Sequence, residues 1–219
     1  MKNPKIIYED NDIIVCYKPA GIATQTRRIG QQDMESFIRN YRAAKNEPPY
    51  VGIVHRLDQP VEGVMVFAKN QKAAASLSRQ IKEHTTEKYY HAASRGQGVS
   101  GADKEEDNHD PAWHTLTDYI SFDKRTNTSK ITSEKDRLAK KAVLQYRILS
   151  NECNKTEFDI KLLTGRHHQI RLQLANIGYP LIGDTKYGGE TAREQLALCS
   201  YKLVFDHPAT GERMTFELP

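Results

Sequence analysis

The chain lacks any apolar run of membrane-spanning length: its richest stretch, residues 63–68, falls far short of the roughly 20 residues a spanning helix needs. The opening residues Met1-Lys2-Asn3-Pro4-Lys5 carry no apolar core of the secretory kind, so no leader is expected. Cysteine is scarce. Cys16, Cys153 and Cys199 are odd in number, widely spaced and free of any C-x-x-C pair. That speaks against a disulfide framework and a structural zinc, and a reduced cytoplasm is the expected setting. An excess of one charge is also missing. Thirty-two Lys and Arg against 28 Asp and Glu leave +4 and a pI near 8.8, which permits a nucleic-acid partner without requiring one. No internal repeat, low-complexity tract or heptad pattern is present.

What remains is 219 residues, 38% apolar and 27% charged, with a mean hydropathy of −0.70. This is the composition of a soluble globular protein, long enough for one domain with its own core. Residues 6–9 and 13–17 read as strands around the turn residues Asp10-Asn11-Asp12. Residues 34–46 read as a helix with Phe37, Ile38 and Tyr41 on one face, broken by Pro48-Pro49. Residues 51–54, 63–68 and 88–93 read as strands. Asn70 is placed to cap a helix over 71–84, with Ala73, Leu77 and Ile81 in line. Residues 96–111, with three glycines and an acidic run, read as a loop.

Strands are expected at 114–122 and 142–149, separated by a basic segment. Over 122–147 eight Lys and Arg face three acids, more net charge than the whole chain carries. Residues 157–162 alternate apolar and polar as a half-buried strand, 169–177 have helical spacing, and 201–206 with 213–218 form a terminal hairpin. Short strands with few helices, outside strict βαβ order, predict an α+β domain with a largely antiparallel mixed sheet.

Several motifs imitate chemistry they do not carry. Gly96-Gln97-Gly98-Val99-Ser100-Gly101 fits G-x-G-x-x-G, but an acidic run and Pro111 come next, where a helix should begin, so no nucleotide cofactor is expected. His55-Arg56-Leu57-Asp58 departs from the kinase order H-R-D and has no accompanying phosphate loop. His167-His168 are adjacent, so they are expected to point to different sides, and no carboxylate cluster completes a metal site.

Three segments carry a stronger signal. His55-Arg56-Leu57-Asp58-Gln59-Pro60 is a charged loop between two apolar strands, the kind of place where a scaffold presents a functional carboxylate. Thr164-Gly165-Arg166-His167-His168-Gln169-Ile170-Arg171 gathers donors at a strand-to-helix junction, with Arg171 off the apolar stripe and able to meet an anion. Lys88-Tyr89-Tyr90-His91-Ala92 puts aromatic rings on a strand, suited either to a base or to sheet packing.

Together these segments resemble the RluA-type pseudouridine synthase family, nearly end to end. His55-Arg56-Leu57-Asp58 with Gly63 and Ala68-Lys69-Asn70 is similar to its catalytic motif, and Lys88-x-Tyr90-x-Ala92 to its tyrosine motif. Thr164-Gly165-Arg166-x-His168-Gln169-Ile170-Arg171 resembles its arginine motif, and Gly183-Asp184 with Tyr187-Gly188 resembles the segment next to it in the family. Lys18-Pro19-Ala20-Gly21 resembles its opening unit. The resemblance implies isomerisation of uridine to pseudouridine in ribosomal or transfer RNA, without metal or organic cofactor. Asp58 would be the nucleophile, Tyr90 would stack on a flipped-out base, and Arg171 would pair with Asp58. His55, Arg56, Arg166, His168, Gln169 and Leu198 would bind substrate.

A carboxylate can attack C1′, shift a C2′ proton through a glycal, or add to C6, and the sequence leaves all three open. Val61-Glu62 stands where the family has Thr-Ser, and Cys199-Ser200 where it has His-Ala. The expectation is a cytoplasmic monomer, a single catalytic domain over 1–219 without a separate N-terminal RNA-binding domain. Its own basic residues Lys124, Arg125, Lys130, Lys135, Arg137, Lys140 and Lys141 would meet phosphates. The alternative reading is a relative of the same fold that binds RNA without catalysis.

Overall fold

The computed structural model describes residues 3–26, 28, 30–95, 112–152, 154–188 and 194–219. The expected loop 96–111, with its G-x-G-x-x-G match, lies outside the described residues, as does Cys153. Among the described residues there are eleven strands and three helices, the α+β class expected. They group into two compact units, Met1–Lys88 with Ser200–Pro219, and Tyr89–Cys199.

The first unit contains β1 (Lys5–Glu9), β2 (Ile13–Lys18), α1 (Met34–Ala44), β3 (Gly52–Ile53), β4 (Glu62–Ala68) and α2 (Gln71–Lys82). The chain enters the second unit within β5 (Glu87–Ser94), which is followed there by β6 (His114–Asp123), β7 (Thr128–Thr132), β8 (Lys140–Glu152), β9 (Lys155–Leu162) and α3 (Gln169–Asn176). It returns within β10 (Leu198–Asp206) and ends in β11 (Arg213–Glu217).

In the first unit the strand order is β1-β2-β4-β10, with β3 on β4 and β11 on β10. The first hairpin turns where Asp10 Oδ1 accepts the amides of Asp12 and Ile13 at 2.8 and 2.9 Å. Strands β2 and β4 are buried on both faces. Ile13, Val15, Val64, Val66 and Ala68 form a core with Ala73 and Leu77 of α2 and Leu203 and Phe205 of β10. Ile14, Cys16, Met65 and Phe67 are buried on the other side. Asn70 caps α2 as expected, its side chain accepting from the Ala73 amide at 2.9 Å.

The buried face of α1 differs from the expected one: it is Met34, Ile38 and Arg42, not Phe37, Ile38 and Tyr41. Arg42 goes inside because its guanidinium is satisfied there. It donates to the carbonyls of Tyr50 and of Lys69 (3.0 Å) and meets Glu47 at 3.1 Å. Tyr41 instead donates to Glu9 at 2.7 Å.

Gly63 is fixed by two constraints at once. Its φ is +144°, and a Cβ there would lie 2.3 Å from the Ser200 carbonyl oxygen and 2.5 Å from the Ser200 Cβ. Gly63→Ala is therefore expected to lower the unfolding free energy by about 3 kcal/mol, from backbone strain and overpacking together, as read by urea denaturation. A loss within error of zero would mean that β4 and β10 have room between them for a Cβ.

The second unit is a sheet in the order β5-β9-β8-β6-β7, antiparallel throughout. Tyr90, Ala92, Phe158, Ile160, Ala142, Leu144, Tyr146 and Ile120 lie on one face and are buried. The alternation over 157–162 is present, but its polar side is not wholly solvated. Asp159 is buried, with Arg147 Nε and Nη2 at 3.1 and 3.0 Å. Strand β7 has no counterpart among the expected elements. Its sequence, Thr-Ser-Lys-Ile-Thr, has a single aliphatic residue and is held as a strand by pairing with β6.

Candidate active site

In the first unit the loop bearing Asp58 runs from β3 to β4. Strand β3 pairs with the far end of β4, Gly52 opposite Ala68 and Ile53 opposite Phe67, so the chain must travel back along β4 before that strand begins. His55 continues this ladder with its side chain: its Nε2 accepts the Val66 amide at 3.1 Å. Thr24 Oγ1 then accepts the Leu57 amide (3.1 Å) and donates to the Leu57 carbonyl (2.9 Å). On the other side of Asp58, the Gln59 carbonyl accepts from the Gly21 amide (2.8 Å) and Lys18 Nζ (3.2 Å). The Asp58 carbonyl closes a turn with the Val61 amide at 3.0 Å. Both neighbours of the half-buried Asp58 are thus pinned by main-chain hydrogen bonds that do not use its carboxylate.

Lys18 and Thr24, which hold the backbone on either side of Asp58, are positions that no spacing rule singles out. Lys18 is 0% exposed, and its ammonium also donates to the carbonyls of Pro19 (3.1 Å) and Ile22 (2.6 Å). Burial pulls its pKa down to about 8, against the opposing pull of Asp58 and Glu62. Glu62, which replaces a family hydroxyl, is engaged by the Tyr17 hydroxyl. Val61, the other replacement, is buried.

Arg56 is exposed and lines a cavity of about 250 Å³ with Gln25, Ile53, Val54 and His55.

Tyr90, Arg166, His168, Gln169, Arg171 and Leu198 all lie in the second unit. Arg171, on α3, is 4% exposed and does meet an anion: Nε and Nη2 donate to Asp184 Oδ2 and Oδ1 at 2.8 and 2.7 Å. Asp184 Oδ1 also accepts the amides of Lys186 (2.9 Å) and Tyr187 (3.1 Å). Burial would raise the Asp184 pKa, but these bonds and the Arg171 charge outweigh it and hold the carboxyl below its ordinary range. The Arg171 guanidinium lies 5.3 Å from the centre of the Tyr187 ring.

Gln169 serves the Thr164-Gly165-Arg166 turn. Its Oε1 accepts from the Thr164 hydroxyl (2.8 Å) and the Arg166 amide (3.0 Å), and its Nε2 donates to Gln173 at 2.9 Å. Arg166 Nε donates to the Lys141 carbonyl at 2.9 Å. Leu198 and Tyr90 are each 6% exposed. Tyr89, on the opposite face of β5, lies under the Lys161 ammonium at 5.3 Å.

The two adjacent histidines are corrected by the structure. They do not diverge; their rings stack at 3.7 Å and 29°, because His168 takes the left-handed conformation at φ +54°. The Tyr187 hydroxyl accepts the Ser129 amide at 2.8 Å and is hydrogen-bonded to His168 Nδ1 at 2.9 Å.

Burial, helped by Arg171, His167 and Lys186 and opposed by Asp184, takes the His168 pKa to about 3. Burial and then Lys88 do the same for His55. Both rings are neutral in the folded chain and gain protons below pH 6.5 only when unfolded. Stability is therefore full above pH 6.5 and falls as pH drops toward 3, by at most about 1.4 kcal/mol per pH unit for each ring. Urea midpoints measured from pH 7.5 to 4.5 should show this fall, with a shallower slope in His55→Gln. An equal slope in that variant would mean that His55 is charged in the fold.

Among the described residues one cluster, Asp10, Asp12 and His207, brings metal-ligating atoms within 4.8 Å of one another. Its atoms are already used. His207 Nδ1 accepts the Thr210 amide at 3.1 Å, which leaves the proton on Nε2 for Asp10 at 2.9 Å.

Sequence comparison matches residues 12–176 to the RNA pseudouridylate synthase family. The chain is similar to the ribosomal large subunit pseudouridine synthase D of Pseudomonas aeruginosa, 34% identical over 98% of this chain and 68% of that protein. It is also similar to the RNA pseudouridine synthase YhcT of Bacillus subtilis, 32% identical over 98% of this chain and 68% of that protein. The chain thus spans about two thirds of the length of each. Its fold matches that of human RNA pseudouridylate synthase domain containing 1, with a TM-score of 0.75 at 24% identity over 99% of this chain and 83% of the other. With a matched segment that contains Asp58, Tyr90 and Arg171, the chain belongs to the RNA pseudouridylate synthase family, in its RluA-type branch.

Proposed function

We propose that the chain converts uridine to pseudouridine in ribosomal RNA, with Asp58 as the carboxylate that starts the reaction, Arg171 as a fixed cation and Tyr90 as the ring that stacks on the flipped-out base. The observation that carries this reading is the Asp58 loop, whose backbone is pinned on both sides of the carboxylate by Thr24, Lys18 and Gly21. Ribosomal RNA is favoured by the named activity of the Pseudomonas relative. In the reaction the N1–C1′ bond breaks, the uracil turns, and a C5–C1′ bond forms. The C5 proton leaves to water and N1 takes one up, so neither oxidant nor reductant is consumed.

The other residues have supporting parts in this reading. Arg56 and Arg166 contact phosphates, Leu198 forms an apolar wall for the base, and His55, His168 and Gln169 hold the loops that bind substrate. In this reading residues 1–219 act as one catalytic domain, as a monomer in the cytoplasm.

The test uses RNA carrying tritium at C5 of uridine. Release to water is expected from large-subunit ribosomal RNA at a rate at least tenfold above that from transfer RNA. Equal rates would remove the ribosomal preference, and no release from either would remove the activity.

A further inference from the structure

The second unit carries a chain of rings that runs outward from Arg171. It starts at the Arg171 guanidinium, over Tyr187 at 5.3 Å, and continues through the Tyr187–His168 hydrogen bond and the 3.7 Å stack of His168 on His167. It ends at Phe122, whose ring centre lies 4.3 Å from that of His167. Phe122 sits near the end of β6, on the same face of the strand as the buried Ile120, yet leaves 40% of its surface to solvent. His167 is held from behind by Ser129, whose hydroxyl lies 2.9 Å from both the His167 Nδ1 and its carbonyl oxygen.

Around this exposed end the charge is mostly positive. Lys124 and Arg125 occupy the β6–β7 turn, and Lys186 is tied to that turn through the Asn127 carbonyl at 2.7 Å. Asp123, the last residue of β6, uses its Oδ1 to accept the Arg125 amide at 2.8 Å. An exposed aromatic ring among lysines and arginines suits a single-stranded nucleic acid, whose bases offer flat faces and whose backbone offers anions.

We propose that Phe122, backed by His167, is a stacking platform for an unpaired base of the RNA beside the target uridine, with Lys124, Arg125 and Lys186 on its phosphates. This rests on the reading of the chain as an RNA-modifying enzyme, and it adds a second base-recognition point to Tyr90. Bases inside a duplex are stacked on both faces and have none free, so the platform selects RNA that is unpaired next to the target.

The probe is a fluorescently labelled 12-nucleotide single-stranded RNA, titrated by anisotropy from 50 to 200 mM salt. Phe122→Ala is expected to raise Kd about tenfold at every salt concentration with an unchanged salt slope, because stacking releases no counterions. Replacing Lys124 and Arg125 together by alanine should instead flatten the slope by about 1.4. Phe122→Trp should restore affinity, and in a Trp113→Phe background its emission should be quenched on binding.

Because Phe122 leaves 40% of its surface to solvent, unfolding midpoints of these variants should stay within a few degrees of that of the parent. Phe122→Ala binding within twofold of the parent, or Phe122→Trp failing to rescue, overturns the platform. The parent's tritium release separates the two readings. Release with normal Phe122→Ala affinity removes the platform alone. RNA binding that depends on Phe122, without release, removes the isomerase reading and keeps the platform.

Discussion

Asp58→Asn is expected to slow tritium release by on the order of 10³-fold or more under single-turnover conditions, with RNA affinity within a few-fold of the parent. The side chains have nearly the same shape, so the change removes charge and basicity while leaving volume intact. The loop should not collapse in response. Thr24 grips the Leu57 backbone, and Lys18 and Gly21 grip the Gln59 carbonyl, none of them through the Asp58 carboxylate. All three routes open to the chemistry (attack at C1′, proton shift at C2′, addition at C6) need a carboxylate as nucleophile or base, and an amide is neither at neutral pH. A variant that kept more than a tenth of the parental rate would move the chemistry to another group.

The second large effect is on stability. Asp184→Asn is expected to cost about 3–5 kcal/mol in the unfolding free energy, because it takes from the 4%-exposed Arg171 guanidinium the carboxylate that accepts two of its hydrogen bonds. Asp184 receives four hydrogen bonds: two from Arg171 and one each from the amides of Lys186 and Tyr187. An asparagine amide group turns donors toward at least one of those donors. Adding Arg171→Met to Asp184→Asn should recover part of the loss, since a neutral side chain of similar length needs no partner. A loss under about 1 kcal/mol, or a double variant worse than the sum of the single ones, would show that the pair is not what holds the turn after α3.

Local signals make much of the fold readable. The apolar runs of β2 and β4, the alternation of β9 and the Asn70 cap of α2 are each written within a dozen residues. Strand β7 is not readable in this way because its identity comes from its partner, β6, and not from its own mostly polar sequence. The face of α1 eludes an apolar-periodicity rule because Arg42 is charged; the acceptors that let it go inside lie up to 27 residues away.

The same distance hides the residues that position Asp58. Thr24 and Lys18 reach partners 33 and 41 residues along the chain, and nothing in their own neighbourhood announces this. Asp58, Tyr90 and Arg171 are legible only as parts of long motifs. The stack of His167 on His168 depends on one left-handed residue that no β-branched or glycine pattern marks.

The central claim is tested most directly by counting nucleosides. Large-subunit ribosomal RNA transcribed without modification is incubated with the protein, digested to nucleosides and separated by chromatography. The prediction is that pseudouridine appears mole for mole as uridine disappears with the parent protein, and does not appear with Asp58→Asn. Full recovery of uridine with the parent, or equal pseudouridine from both proteins, would contradict it.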